Sequence, residues 1–181
     1  MTKKKIIILF LLWLLLLWGV RIVKVNRESA VPETSYHMKE TFDWMGVKVT
    51  PLEAHMYSLE EYNDIMGAAA STDGNDDNIL CLKLNVVNET GEDISWDALF
   101  DNFGYGFETT TWCSAIQPYL GAEINIFYSE MLQDGASQDI WLATTVEKDC
   151  FKKNHWEKVD HMDYYYVMSV YPEPVKIKLE F

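Results

Sequence analysis

Basic side chains are scarce over most of this chain. Of the 15 Lys and Arg, six lie in residues 1–27, which contain none of the 28 Asp and Glu, so residues 28–181 carry 9 minus 28, or −19. A field of that sign repels nucleic acid phosphates and anionic lipid headgroups, which excludes DNA and RNA as partners of this part and disfavours peripheral attachment to a membrane surface. A cationic protein or peptide is the class of partner it leaves open. Acidic side chains that simply keep an exported domain soluble give the same excess.

Cysteine is sparse too. Cys81, Cys113 and Cys150 are the only three, and none sits in a C-x-x-C arrangement, so zinc-ribbon and thioredoxin-type chemistry is excluded. Three thiols cannot all pair within one chain. In an exported domain one bridge has room to form, and Cys113 with Cys150 is the expected pair because both lie in polar, loop-like surroundings. Such a closure is worth about 3–4 kcal/mol. The alternative is three unpaired thiols used as small hydrophobes.

Catalytic motifs are missing as well. There is no G-x-S-x-G, no glycine-rich phosphate loop, no H-E-x-x-H and no Cys/His motif. The expectation is therefore no catalytic residue, no cofactor and no metal. A hydrolase built on two carboxylates is the enzyme alternative, but 28 acids guarantee chance pairs. A pair in a deep pocket favours that reading, whereas a flat acidic or aromatic patch favours binding.

Four features imitate sites. Asp73-Gly74-Asn75-Asp76-Asp77-Asn78 spaces oxygen ligands as a calcium loop does, yet Asn78 stands where the turn glycine belongs and Leu84 where the twelfth-position acid belongs. His155 and His161, with Asp160 and Asp163, offer ligands without metal-site spacing, which reads as a surface loop. Seven Trp and ten Tyr would suit a carbohydrate-stacking platform, but Trp13 and Trp18 belong to an apolar run and most of the others are expected to fill a core. Asn88-Glu89-Thr90 is a formal glycosylation sequon.

The chain is not short of long apolar runs. Ile6 to Val20 are fifteen consecutive apolar or glycine positions, with Lys3, Lys4 and Lys5 before them and Arg21, Lys24 and Arg27 after. If Arg21 snorkels, the run reaches Val23 and about 27 Å of helix, close to a ~30 Å hydrocarbon core. A cleavage signature of small residues at alternate positions is missing after Val20, and no cysteine offers a lipid attachment there. The expectation is an uncleaved signal anchor at residues 6–23 behind a basic tail at 1–5, with the C-terminal part exported. Three basic residues flank each end, so their count chooses no side; the α-amino group and the short N-terminus favour a cytoplasmic N-terminus, with a cytosol-facing domain as the alternative.

Residues 24–40 are expected to form a linker, and residues 41–181 one domain. Gly46 to Thr50 alternates as a first strand that continues through Tyr57. Ser58-Leu59-Glu60-Glu61 is a capping box, followed by a short helix with Leu59, Tyr62, Ile65 and Met66 on its apolar face and Gly67 at its end. Leu80, Leu82, Leu84 and Val86 alternate with Cys81, Lys83, Asn85 and Val87, which predicts a strand with one buried face. Ile94 to Asp97 reads as extended, and Phe103, Tyr105 and Phe107 alternate with Asn102, Gly104 and Gly106 as aromatics on one face of a strand. Ser137 to Val146, Tyr164 to Tyr171 and Val175 to Phe181 complete the set. Many short strands, one helix, no βαβ rhythm and no repeat predict a mainly β protein, an antiparallel β-sandwich with one short helix, preceded by one transmembrane helix.

The order of Ile94-Ser95-Trp96-Asp97, Trp112-Cys113-Ser114-Ala115-Ile116-Gln117-Pro118, Gln138-Asp139-Ile140-Trp141 and a tyrosine-rich strand closing on Val175-Lys176-Ile177 resembles a family of uncharacterised immunoglobulin-like extracytoplasmic domains of Gram-positive bacteria. The resemblance covers roughly residues 36–181 and implies an immunoglobulin-like sandwich carried outside the membrane. That family has no established activity and supplies no site residues. The reading that follows is a membrane-anchored binding or interaction module, with an immunity-type protein against a cationic toxin as a further alternative.

Overall fold

The computed structural model describes residues 3–28, 31–67, 77–125, 127 and 129–181. The chain divides into two compact units, Met1–Pro32 and Glu33–Phe181.

The first unit is the helix α1, Lys3–Glu28. It runs past the expected span at both ends and takes in residues 24–28, which the sequence reading places in the linker. No proline interrupts the chain before Pro32, so nothing stops the helix at Val23. Among the described residues no helix is long and apolar enough to cross a membrane. The described stretch of α1 from Phe10 onward includes Arg21, Lys24 and Arg27.

The second unit begins with β1, Thr34–Tyr36, so the domain starts before Thr41. This strand has only three residues and two are exposed, too short for alternation to reveal; Tyr36 stacks on Phe42 with ring centroids 3.9 Å apart. Next come β2, Phe42–Trp44, and β3, Val47–Ser58. They are joined by Met45 and Gly46 at φ 48° and 92°, the paired positive φ of a tight hairpin turn. Pro51, which has no N–H to give to a ladder, sits at the register shift where β3 slips against its neighbour. The helix α2, Leu59–Met66, starts on the expected capping box, with Glu61 N–H donating to Ser58 Oγ and Ser58 N–H donating to the Glu61 carboxylate, and ends on Gly67 at φ 63°. Such a cap is worth about 1 kcal/mol.

Then follow β4, Asn78–Asn88; β5, Ile94–Ser95; α3, Trp96–Asp101; β6, Gly106–Glu108; β7, Cys113–Ser114; and α4, Pro118–Ile124. The remainder is β8, Met131–Leu132; β9, Ser137–Val146; α5, Lys153–Trp156; β10, Tyr165–Ser169; and β11, Val175–Lys178. Two main sheets result, in the orders β2-β3-β4-β9 and β1-β11-β10-β6-β7, with a small β5-β8 pair beside them. The first is antiparallel throughout. The second is mixed, because β1 runs parallel to β11, which corrects the all-antiparallel expectation.

One core joins the two sheets. Leu80, Leu82, Leu84 and Val86 are fully buried and pack in one cluster with Phe107, Tyr166 and Ile177 of the other sheet. The opposite face of β4 is not simply solvated. Ile79 and Cys81 are also fully buried, under α2 and α4, in a second cluster with Tyr62, Leu120 and Ala143, and Tyr62 Oη donates to the Leu120 carbonyl at 2.8 Å. Burial pushes the Cys81 thiol up to about 12. The expected single helix is thus corrected to several short ones. α3 reads as strand in the sequence because its cap is minimal: Ser95 Oγ accepts from Ala98 N–H with no acidic partner three residues on.

Three strand lysines, Lys48, Lys83 and Lys176, each bridge two acids. Lys83 lies 3.3 Å from Glu53 and 3.4 Å from Asp139, on the strands either side of β4. Lys176 lies 2.7 Å from Glu33 and 2.8 Å from Glu108, and Lys48 reaches Asp43 and Glu89. Part of the acidic excess is therefore used to hold strands in register.

Candidate functional site

The helix α3 places Asp97, Phe100 and Asp101 on one face by the i, i+3, i+4 rule. Beyond it the chain passes through Phe103, which is fully buried, then Gly104, Tyr105 and Gly106. Gly104 has φ 82° and Gly106 φ 133°, values that L side chains rarely adopt. A Cβ on Gly104 would stand 2.5 Å from the Met168 carbonyl oxygen, and one on Gly106 would stand 2.1 Å from that of Ser114. The backbone therefore presses against β10 on one side and β7 on the other, and Tyr105 is turned outward, 58% exposed. This corrects the aromatic alternation: Phe103 and Phe107 are buried, but two positive-φ glycines reverse the direction of the residue between them.

Across from Tyr105 stands β9, the outer strand of its sheet, whose free edge is dressed by side chains. Asn125 Nδ2 donates to the Trp141 carbonyl at 2.8 Å, and Trp141 N–H donates to Asn125 Oδ1 at 2.7 Å. Gln117 N–H donates to the Ala143 carbonyl, while Thr145 N–H and hydroxyl donate to Gln117 Oε1. The side-chain amides stand in for a missing strand, closing an edge that would otherwise invite pairing.

Between α3, Tyr105 and β9 lies a cleft of about 480 Å³ lined by Phe100, Tyr105, Ile116, Phe127, Trp141 and the buried Leu142. Phe127 is held by stacking on Trp96 at 4.3 Å and by the edge of Phe100 at 5.9 Å. Asp97 and Asp101, both exposed, supply the ionisable groups, and no Lys, Arg or His lines the cleft among the described residues. Lys83 stands 5.4 Å from the Trp141 ring, but Glu53 and Asp139 already hold it.

A second cleft, of about 640 Å³, shares Asp101, Gly104 and Tyr105 with the first and continues along Trp44, Met45, Tyr171 and Glu173. Tyr171 is 82% exposed and Met45 68%. Trp44 is fixed by its Nε1–H, which donates to the Asn102 carbonyl at 2.8 Å. Together the clefts present aromatic faces and three carboxylates. In the first cleft Asp97 and Asp101 supply acceptors, while the Tyr105 hydroxyl, the Trp141 indole N–H and the second N–H of the Asn125 amide supply donors. With three carboxylates, exposed aromatic rings and no basic side chain in the described linings, the arrangement suits a cationic group with an apolar stem.

The residues singled out in the sequence fall elsewhere. Most of the calcium-like loop lies outside the described residues; Asp77 is buried and accepts from Lys148 N–H at 2.9 Å. Among the described residues no three His, Cys, Asp or Glu are grouped as metal ligands, and His155 and His161 lie on short helical turns. Cys113 and Cys150 are free and exposed, which corrects the expected bridge. Cys113 is fixed in β7, while Cys150 closes a one-turn 3-10 helix with its Sγ toward Glu147. Asn88 of the sequon is fully buried: its Nδ2 donates to the carbonyls of Glu92 and Leu132, and its Oδ1 accepts from the Thr90 N–H and hydroxyl. That amide is structural and inaccessible in the folded domain. Of the tryptophans, Trp112 is buried, while Trp44 and Trp141 are half-buried and line the clefts. The signal that points to this place in the sequence is Gly104-Tyr105-Gly106, a tyrosine between two glycines.

Fold and site define a two-sheet β domain with an aromatic, acid-rimmed cleft at one edge. No family model and no curated protein matches the chain. Among solved structures it is similar to a conserved hypothetical protein from Bacillus anthracis, at 13% identity and a TM-score of 0.47, covering 72% of this chain and 87% of that one. It is also similar to an uncharacterised β-sandwich protein from Clostridium difficile 630, at 9% identity and a TM-score of 0.47, covering 84% and 97%. Likenesses at that level carry no argument about function.

Proposed function

We propose that this chain is an extracytoplasmic interaction module, an immunoglobulin-like domain held to the membrane by α1, which receives a partner at the cleft beside Tyr105 and catalyses nothing. The observation that carries the reading is the outward Tyr105. Two sterically obligate glycines hold an aromatic ring in solvent at the junction of two clefts, a placement that core packing does not require. Exposed apolar groups gathered at one place favour contact with another molecule. The two carboxylates of the first cleft lie exposed on its rim, unlike an acid pair desolvated for general acid–base work.

Anchoring is supported by the unbroken run from Ile6 to Val20 and by α1 itself. Phe10, Trp13, Leu16 and Trp18 are all exposed on it, and a helix apolar on every side is stable only when surrounded by lipid or protein. Placing a photo-crosslinking residue at Tyr105 in intact membranes tests the cleft. A discrete adduct from position 105, missing when the same residue replaces the exposed Ile65 on α2, is the expected result. Adducts of equal yield from both positions, or from neither, would remove the cleft from the reading.

A further inference from the structure

The two clefts share Asp101, Gly104 and Tyr105 in their linings, and, taken together as one groove, their chemistry specifies what lies in them. We infer that the groove binds an extended, lysine- or arginine-bearing peptide segment of a partner protein; the inference rests on the cleft reading above and names its ligand. Asp97, Asp101 and Glu173 are distributed along the two clefts, whose described linings contain no basic residue. The same linings carry the exposed rings of Tyr105 and Tyr171, where an ammonium or guanidinium gains cation–π attraction while its methylene stem covers apolar surface. The volumes of about 480 and 640 Å³ on the two sides of Tyr105 exceed what one side chain fills. A chain that drops successive basic side chains to either side of the tyrosine matches that division better than a single small cation. The net −19 of residues 28–181 draws such a segment in from a distance.

The test uses the full chain in phosphatidylcholine nanodiscs and three probes: a fluorescent ten-residue Lys-Ala repeat peptide, the matching Glu-Ala peptide, and spermine as competitor. Anisotropy should report binding of the Lys-Ala peptide alone, weakening as salt rises. Asp101→Asn should reduce affinity about two- to fivefold, the range of an exposed ion pair. Tyr105→Ala should reduce it about two- to fivefold at every salt concentration, the range of an exposed cation–π contact. Unchanged near-ultraviolet circular dichroism establishes that each variant is folded. Replacing Glu60 and Asp64 on α2 by Gln and Asn should leave affinity unchanged; an equal loss there would reduce the effect to net charge and overturn the inference. Displacement by spermine at equal charge concentration would also overturn it, in favour of a small-cation site. If position 105 crosslinks a partner in membranes while the Lys-Ala peptide fails to bind, the cleft reading stands and the cationic ligand falls.

Discussion

Gly104 and the Met168 carbonyl stand so close that a Cβ added to the glycine would lie 2.5 Å from that oxygen. The contact fixes the turn that exposes Tyr105. Gly104→Ala should therefore destabilise the domain by about 2 kcal/mol or more, from combined backbone strain and overpacking. Gly91 provides the comparison, since it has φ 85° but nothing within 4 Å of its added Cβ, so Gly91→Ala should cost only about 1 kcal/mol. Urea titration of both variants separates crowding from backbone conformation; equal midpoints would mean that the close approach at Gly104 is not as described.

The Asn88 side chain ties the β4 end to β8 and to the turn that follows. Asn88→Ala leaves the buried Leu132 carbonyl without its donor and should cost about 2–4 kcal/mol. Asn85→Ala removes one exposed bond, to Asp139, and should cost under about 1 kcal/mol. Thermal unfolding of the two variants side by side checks the ranking.

Leu84→Asp should destabilise by about 3 kcal/mol or more, because it buries a carboxylate without a partner. From alternation alone, Cys81 faces solvent and Cys81→Asp is mild. The structure reverses that expectation, since Cys81 is fully buried beneath α2 and α4, and the two variants should be comparably severe in a denaturant titration. Lys83→Asp should be milder than either, yet not neutral, because it removes the cation shared by Glu53 and Asp139 and sets a third carboxylate between them.

What the sequence conveyed follows from how local each signal is. The strand from Ser137 to Val146 and the capping box at Ser58 are legible because period and cap are each contained within a short stretch of chain. The covering of Cys81 is not, because it depends on Leu120, distant in the chain, packing against Tyr62. Nor is the cleft: its walls come from Phe100, Tyr105, Phe127 and Trp141, and no window of sequence brings them together. Tyr105 itself misleads a period-two reading, since the glycines on either side reset the backbone that the period assumes.

Stability should fall at both extremes of pH. Hydrogen bonds from Ser58 hold the Glu61 carboxyl below the usual 4.5, and His55, with Lys83, does the same for Glu53. A lowered folded value gives stability that is present above pH 4.5 and lost as pH falls through the folded values. Burial raises the Tyr166 and Tyr164 hydroxyls above 10.0, and hydrogen bonds to Glu108 and Glu33 raise Lys176 above 10.5. Raised folded values give stability that is complete below about pH 10 and lost as pH rises beyond it. Urea midpoints at about pH 3.5, 7 and 11 should be highest at the middle value. The Glu53→Gln, Glu61→Gln double variant should lose less than the parent chain between neutral and acid pH, and an identical loss would assign the acid limb to other carboxylates.

If α1 is inserted in a bilayer, its middle must tolerate no charge. Leu14→Arg with Leu15→Arg should each cost about 2.5–3.5 kcal/mol of insertion free energy near the centre of the run. Together they should move the chain from the carbonate-resistant membrane fraction to the supernatant, while Lys3→Gln, outside the apolar run, should not. Protease added to intact cells then decides orientation, which three basic residues on each flank leave balanced: digestion beyond Glu28 is expected for an exported domain, and full protection would place the domain in the cytosol. Release of the parent chain itself by carbonate would remove the anchor from the proposal and leave the cleft to be judged alone.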